Sequence, residues 1–136
     1  MSHTLKIRIY YEDTDCGGVV YYANYLRYAE RARTEFLEAR GLNLRRLMDE
    51  GVYFVVAEAS LKYLSPGRYG DMLVIVTSVD RVGPASIVFR HVISRDGTGE
   101  RLVEAIVKLG CVGRDMKPLR LMQNITDIVT KHDEDA

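Results

Sequence analysis

The chain has 136 residues, with 19 basic and 19 acidic side chains and a formal net charge of zero. This length suits one domain, residues 1–136, with a core large enough to need neither disulfides nor metal. The balanced charge gives no electrostatic pull toward nucleic acid or an anionic membrane. The two cysteines, Cys16 and Cys111, form no disulfide framework and fit no zinc spacing, so a reducing, cytoplasmic setting is expected. No apolar run reaches the length of a membrane span, and the first ten residues lack the apolar core of a signal peptide.

Residues 5–11 alternate apolar and polar side chains, as a half-buried strand does. From Tyr22 the period changes. Tyr22, Tyr25, Leu26, Ala29, Ala32, Phe36 and Leu37 fall at helical spacing, and charged residues lie off that stripe, which predicts an amphipathic helix. Gly41 stops it, with Arg40 placed to complement the dipole. Asn43 caps a second, short helix from Leu44 to Glu50, which Gly51 ends.

Four strands follow. In the first, Tyr53, Val55, Ala57, Ala59, Leu61 and Tyr63 read as one apolar face, up to the break at Ser65-Pro66-Gly67. Residues 72–82 are β-branched. Gly83-Pro84 turns the chain into 85–94, which alternates through Ile87, Phe89, His91 and Ile93. After Asp96-Gly97, residues 102–112 place Val103, Ala105, Val107, Leu109 and Cys111 on one side. A short helix is expected from Ile125 to Lys131, then a flexible tail over 132–136. The order predicts an α+β fold with an antiparallel sheet and one covering helix. Phe54, Val56 and Leu64 make the opposite sheet face apolar too. Other subunits are therefore expected to cover it or extend the sheet edges, most simply as a symmetric dimer.

The chemistry concentrates between Tyr10 and Tyr28, a stretch holding six of the nine tyrosines. Asp13 and Asp15 precede a turn at Gly17-Gly18, and a helix start follows. Thioester or ester hydrolysis needs a nucleophile or activated water, and donors for the developing oxyanion. A carboxylate supplies the first, and the unpaired amides of a helix start supply the second. Two readings stand at this point: Asp15 as a catalytic group, or both aspartates as turn residues that cap loop amides. Cys16 is a rival nucleophile, but it needs a base. His3 and His132 lie near the ends, and His91 lies on an apolar strand face, where a structural role fits better. The chain has no Gly-x-Ser-x-Gly elbow, P-loop or dinucleotide loop.

Arg8-Ile9, Thr14-Asp15, Gly18-Val19-Val20, Tyr21-Tyr22-Ala23-Asn24-Tyr25-Leu26, Glu30-Arg31-Ala32-Arg33, Tyr63-Leu64-Ser65-Pro66 and Gly70-Asp71 together resemble a known pattern. It is that of the 4-hydroxybenzoyl-CoA thioesterase type of hotdog-fold protein, closest to the bacterial acyl-CoA thioesterase branch associated with the Tol–Pal system. The resemblance implies a hotdog fold, an antiparallel sheet wrapped around one long central helix. It implies acyl-CoA hydrolysis with Asp15 as nucleophile or general base and the Tyr22 backbone amide on the thioester carbonyl. Gly18 and Tyr25 would belong to the substrate site. Related sequences often carry histidine where this chain has Tyr22, so no imidazole role is implied here. The family site lies between subunits of a homodimer or homotetramer. Glu58 and Ser60 are the candidates for the partner's contribution, and Arg81 and Ser86 for contacts to coenzyme A phosphates. No separate cofactor or metal is implied, coenzyme A being part of the substrate. The implied partners include no nucleic acid and no stable membrane insertion. A non-catalytic acyl-CoA-binding scaffold, meeting lipid-synthesis proteins, is the alternative, and a dehydratase of the same fold ranks below both.

Overall fold

The computed structural model describes residues 2–130. The elements are β1 (Ser2–Arg8), a 3-10 turn (Tyr11–Asp13), α1 (Asn24–Ala39), α2 (Leu44–Asp49), β2 (Tyr53–Tyr63), β3 (Met72–Val82), β4 (Ser86–Arg95), β5 (Arg101–Val112) and α3 (Gln123–Thr130). The five strands form one antiparallel sheet in the order β1-β3-β4-β5-β2. The α+β reading holds. The expected tail, 132–136, lies outside the described residues.

α1 lays Tyr25, Tyr28, Ala29, Ala32, Phe36 and Leu37 on one sheet face. The first half of the helix packs with Ile9, Leu73, Ile75 and Ile93, the second half with Ile87, Phe89, Val107 and Leu109. α3 closes the second cluster with Ile125 and Val129. The N-cap of α2 is as read: the Asn43 side chain accepts from the Arg46 amide at 3.0 Å.

Two boundaries move for one reason. The strand expected over 5–11 ends at Arg8, and the helix expected from Tyr22 begins at Asn24. Asp13 draws in the chain on both sides. Its carboxylate accepts from the Tyr10 amide at 2.9 Å, and its carbonyl accepts from the Tyr21 amide (2.9 Å) and the Asn24 side chain (2.8 Å). These bonds compete with strand and helix for the same backbone groups.

The face reading of β2 is corrected. Pairing with β5 slips one residue at Ala57, so Phe54 and Val56 sit opposite Cys111 and Leu109, while Ala59 and Leu61 sit opposite Val107 and Ala105. A bulge inverts the parity of a strand. The α1 side of β2 is therefore Phe54, Val56, Ala59 and Leu61, and Tyr53, Val55, Glu58 and Ser60 face away. A second slip at Asp80 does the same in β3, turning Val79 and Val82 to one core.

His91, fully buried, is a structural residue. Arg33, itself buried, approaches His91 Nε2 through Nη1 at 3.4 Å, and Thr77 Oγ1 lies 2.9 Å from Nδ1. A guanidinium only donates, so Nε2 accepts, and the ring proton sits on Nδ1 facing Thr77. Burial first, and the Arg33 charge second, push the His91 pKa down to about 3. Burial also lowers the Arg33 pKa, with Glu30 opposing that shift.

Another tight contact lies in the β2–β3 connection. A Cβ on Gly67 would stand 2.9 Å from Ile9 Cδ1 and 3.1 Å from the Tyr25 hydroxyl. That hydroxyl accepts from the Gly67 amide at 3.0 Å.

Two outcomes follow from these contacts. Gly67→Ala should lower unfolding free energy by about 1–3 kcal/mol in urea titrations, and an unchanged midpoint would contradict the close approach. Between about pH 6.5 and 3 the unfolded chain protonates His91 and the folded chain does not. Stability should therefore fall as pH drops through that window, His91 contributing up to about 1.4 kcal/mol per pH unit. His91→Gln preserves an acceptor for Arg33 and a donor for Thr77 but cannot titrate. Its stability–pH curve should be flatter there, and an identical curve would contradict the assignment.

Candidate active site

The acid–glycine–helix stretch folds as a small hairpin that feeds α1. Thr14 bridges Val20, and the Asp15 amide donates to the Val19 carbonyl at 3.0 Å. The Gly18 amide returns to the Asp15 carbonyl at 3.1 Å, closing a four-residue turn. Gly18 has φ of 76°, a backbone conformation that a side chain disfavours. Asp15 is exposed, and its Oδ1 accepts from the Gly17 amide at 2.9 Å. The carboxylate thus has one local bond and a solvent-facing side. Asp13 spends its groups on Tyr10, Tyr21 and Asn24 and acts as the turn former. Behind it the buried Tyr28 hydroxyl lies close to the Asp13 carboxylate. Burial chiefly, and that charge next, push its pKa above the usual tyrosine value.

Tyr22 lies in the turn between hairpin and helix, and among the described residues its amide donates to no acceptor. Its carbonyl accepts from the Tyr63 hydroxyl at 3.3 Å. Tyr63 stands edge-on to Tyr22 with ring centroids 6.4 Å apart, and 5.9 Å from Tyr25. With Val20, Leu64 and Pro66 these three rings line a cavity of about 340 Å³ at the start of α1. Tyr25, only 3% exposed, is the cavity's inner wall, and burial raises its phenol pKa. Asp15, Gly18, Tyr22 and Tyr25 are therefore gathered on one short run of chain.

Glu58, Ser60 and Arg81 are gathered elsewhere. They line a cavity of about 560 Å³ with Asp80 and Lys108. The register sets Arg81 beside Val88, Val88 beside Lys108 and Lys108 beside Glu58, one row across four strands on the face away from α1. The two bulges put Arg81 and Glu58 in that row. Ser86 does not join the cavity lining; its carbonyl accepts from the Gly83 amide at 2.8 Å at the mouth of β4. On the α1 side, a groove of about 420 Å³ runs between α1 and the open edge of β2, lined by Leu26, Glu30, Arg33, Leu37, Phe54 and Val56 among others.

Cys16 is an exposed free thiol, but His91 is not its base, because both imidazole nitrogens are engaged in the core. Among the described residues no three His, Cys, Asp or Glu side chains gather as a metal site, and no helix is long and apolar enough to cross a membrane. Sequence reasoning missed Tyr63, which it placed on the apolar face of β2 without its bond to the Tyr22 carbonyl. It missed Arg95 altogether. The Arg95 guanidinium donates to Asp71 (3.0 Å), Glu100 (2.6 Å) and the Pro66 carbonyl (2.8 Å). No local pattern announces that fork, because its acceptors come from two other connections.

The chain is similar to known proteins over most of its length. The sequence model of the thioesterase superfamily matches residues 17–101. The acyl-CoA thioester hydrolase YbgC of Escherichia coli O157:H7 is 42% identical over 121 residues, spanning 88% of this chain and 89% of that protein. A probable thioesterase from Bartonella henselae superposes with a TM-score of 0.83 at 32% identity, over 90% of this chain and all (100%) of that one. The 1,4-dihydroxy-2-naphthoyl-CoA thioesterase from Synechocystis shares the fold, with a TM-score of 0.91 at 21% identity over 98% of each chain. By sequence and by fold alike, the chain belongs to the thioesterase superfamily and has its hotdog architecture.

Proposed function

We propose that this chain is an acyl-CoA thioester hydrolase, releasing a free carboxylic acid and CoA-SH, with Asp15 as the acting carboxylate. The observation that carries the reading is the hairpin itself. It presents Asp15 to solvent and leads into the turn just before α1, where the Tyr22 amide is uncommitted among the described residues. Relatives named as acyl-CoA thioester hydrolases support the substrate class.

The Tyr22 N–H donates to the developing oxyanion of the thioester carbonyl. Asp15 acts as general base, taking a proton from water as the oxygen adds to the carbonyl carbon, or as nucleophile, forming an anhydride that water then opens. On either route the C–S bond breaks, the electron pair leaves on sulfur, and water supplies the proton that ends on CoA-SH. Gly18 shapes the turn and Tyr25 walls the acyl end, and no separate cofactor takes part.

The open edge of β2 and the apolar groove beside it support a homodimer or homotetramer in which a second copy brings Glu58 and Ser60 to the site. Arg81, with Lys108 in its row, offers positive charge for coenzyme A phosphates. Ser86 remains a weaker candidate for the same role. The free thiols suit a cytoplasmic protein.

Asp15→Asn should lower kcat/KM about 100-fold or more across a panel of acyl-CoAs, while Cys16→Ser should stay within about threefold of the parent. Wild-type turnover in Asp15→Asn would end the assignment, and loss of activity in Cys16→Ser would return the thiol to consideration. Calorimetry with a non-hydrolysable acyl-CoA belongs beside these assays. Tight binding with negligible turnover of every acyl-CoA would replace the enzyme by an acyl-CoA-binding scaffold for lipid-synthesis partners.

A further inference from the structure

We infer that Arg95 is a positioning residue for the hairpin that carries Asp15, acting through the connection between β2 and β3. The inference rests on the reading of Asp15 as the acting carboxylate.

The tip of the hairpin has little holding it from its own side. Asp15 to Gly18 bond to one another and to Val19, and residues 15–17 are exposed. Asp13 holds the base of the hairpin to Tyr21 and Asn24, and the outer arm is anchored on the 64–71 connection. The Val20 amide donates to the Gly67 carbonyl at 2.8 Å, Val19 bridges Arg68, and the Tyr69 amide donates to the Gly18 carbonyl at 3.1 Å. Residues 18–20 and 67–69 thus form a short ladder, flanked by Thr14 and Asp15 on one side and by Ile9, at Gly70 and Asp71, on the other. Such a ladder is ordered only as far as its support is ordered.

Arg95 supplies that support at both ends of the connection. One nitrogen reaches the Pro66 carbonyl, and another reaches Asp71, whose carboxylate also accepts from the Arg68 amide at 3.0 Å. The third reaches Glu100, which in turn accepts from the Ser65 hydroxyl at 2.9 Å. A planar fork with donors in fixed directions can hold three acceptors at once; an ammonium is a single point charge on a flexible stem. The side chain is four-fifths buried, 20% exposed, and sits at the end of β4, a strand paired on both sides. One route from the rigid sheet to Asp15 is therefore Arg95, then 66–71, then 18–20, then the Asp15 turn, beside the holds of the Tyr25 hydroxyl on Gly67 and of Ile9 on Gly70 and Asp71. A misplacement of about 1 Å in a reacting group can cost about 100-fold in rate, so a support three links away is enough to matter.

The test compares Arg95→Met and Arg95→Lys with the parent and with Asp15→Asn, using steady-state kinetics and amide hydrogen exchange on the full chain. Both Arg95 variants should lose about 10- to 100-fold in kcat with KM within about threefold. Exchange at the Val20 and Tyr69 amides should rise about tenfold or more, with Phe89 and Val107 unchanged. Lys6→Ala, which removes the nearby exposed Lys6–Asp96 ion pair, should alter neither readout. Unchanged kcat and unchanged Val20 protection in a folded Arg95 variant, while Asp15→Asn is inactive, would overturn the positioning role. Should Arg95→Met not fold, Arg95→Lys and Asp71→Asn carry the same comparison, and parent-like exchange at Val20 in both would overturn it. Parent-like activity in Asp15→Asn would instead bring down the reading of Asp15, and the exchange data would still decide what Arg95 holds.

Discussion

The packing of α1 onto the sheet decides where its first turn points, and the candidate chemistry depends on that direction. Phe36 meets Phe89 edge-on at 5.6 Å, and the Arg40 guanidinium lies 4.4 Å over the same Phe36 ring. At the other end Tyr25 and Tyr28 stand edge-on at 5.9 Å, and the Tyr25 hydroxyl reaches the β2–β3 connection. Each buried side chain of this size stabilises the fold by about 1.5–3 kcal/mol, so the helix has no freedom to roll or slide. The turn at residues 21–23 inherits that rigidity. An oxyanion donor is useful only if it does not have to reorganise during reaction, and a backbone amide just before a helix pinned along its length meets that condition.

The same packing takes a charge into the interior. Among the described residues the hydrogen bond of Arg33 goes to a neutral imidazole, not to a carboxylate. Burying a guanidinium with an incomplete set of partners is costly. Two features reduce the cost: His91 accepts without adding charge, and Glu30 lines the same groove and favours the charged form of Arg33. The groove between α1 and the β2 edge therefore has apolar walls and a cation held in one of them. A surface that closes over it must satisfy both.

Much of this was legible along the chain because it is local. Periodicity gave the strands and α1, Asn43 gave the cap of α2, and the order of acid, glycine turn and helix gave the candidate site. The errors are non-local. Asp13 shortens β1 and delays α1 through bonds that span up to 11 residues. The slips at Ala57 and Asp80 depend on registers set by β5 and β4, which a strand's own alternation does not encode. Phe54 and Val56 are apolar as the sequence shows, but the slip at Ala57 puts them on the same face as Ala59 and Leu61. Arg95 reads as an ordinary strand-end charge until Asp71 and Glu100, 24 and 5 residues away, are brought beside it.

The bulge at Ala57 also bears on how such chains can diverge. Removing that one residue would restore plain alternation and leave both faces as they are, because Val56 and Glu58 already pair with consecutive residues of β5. Drawing Ala57 into the ladder instead would exchange the two faces of half a strand, turning Glu58 and Ser60 toward α1 and Ala59 and Leu61 away. Insertions and deletions are usually absorbed where backbone groups face water, and the turn at 96–99 offers such a place. At position 57 of β2 a single-residue gap is absorbed as well, since it removes the one residue that the ladder leaves unpaired. A sequence alignment that opens a gap there states a straighter strand with the same two surfaces, so it is the bulge that lets this longer strand keep Glu58 and Ser60 away from α1.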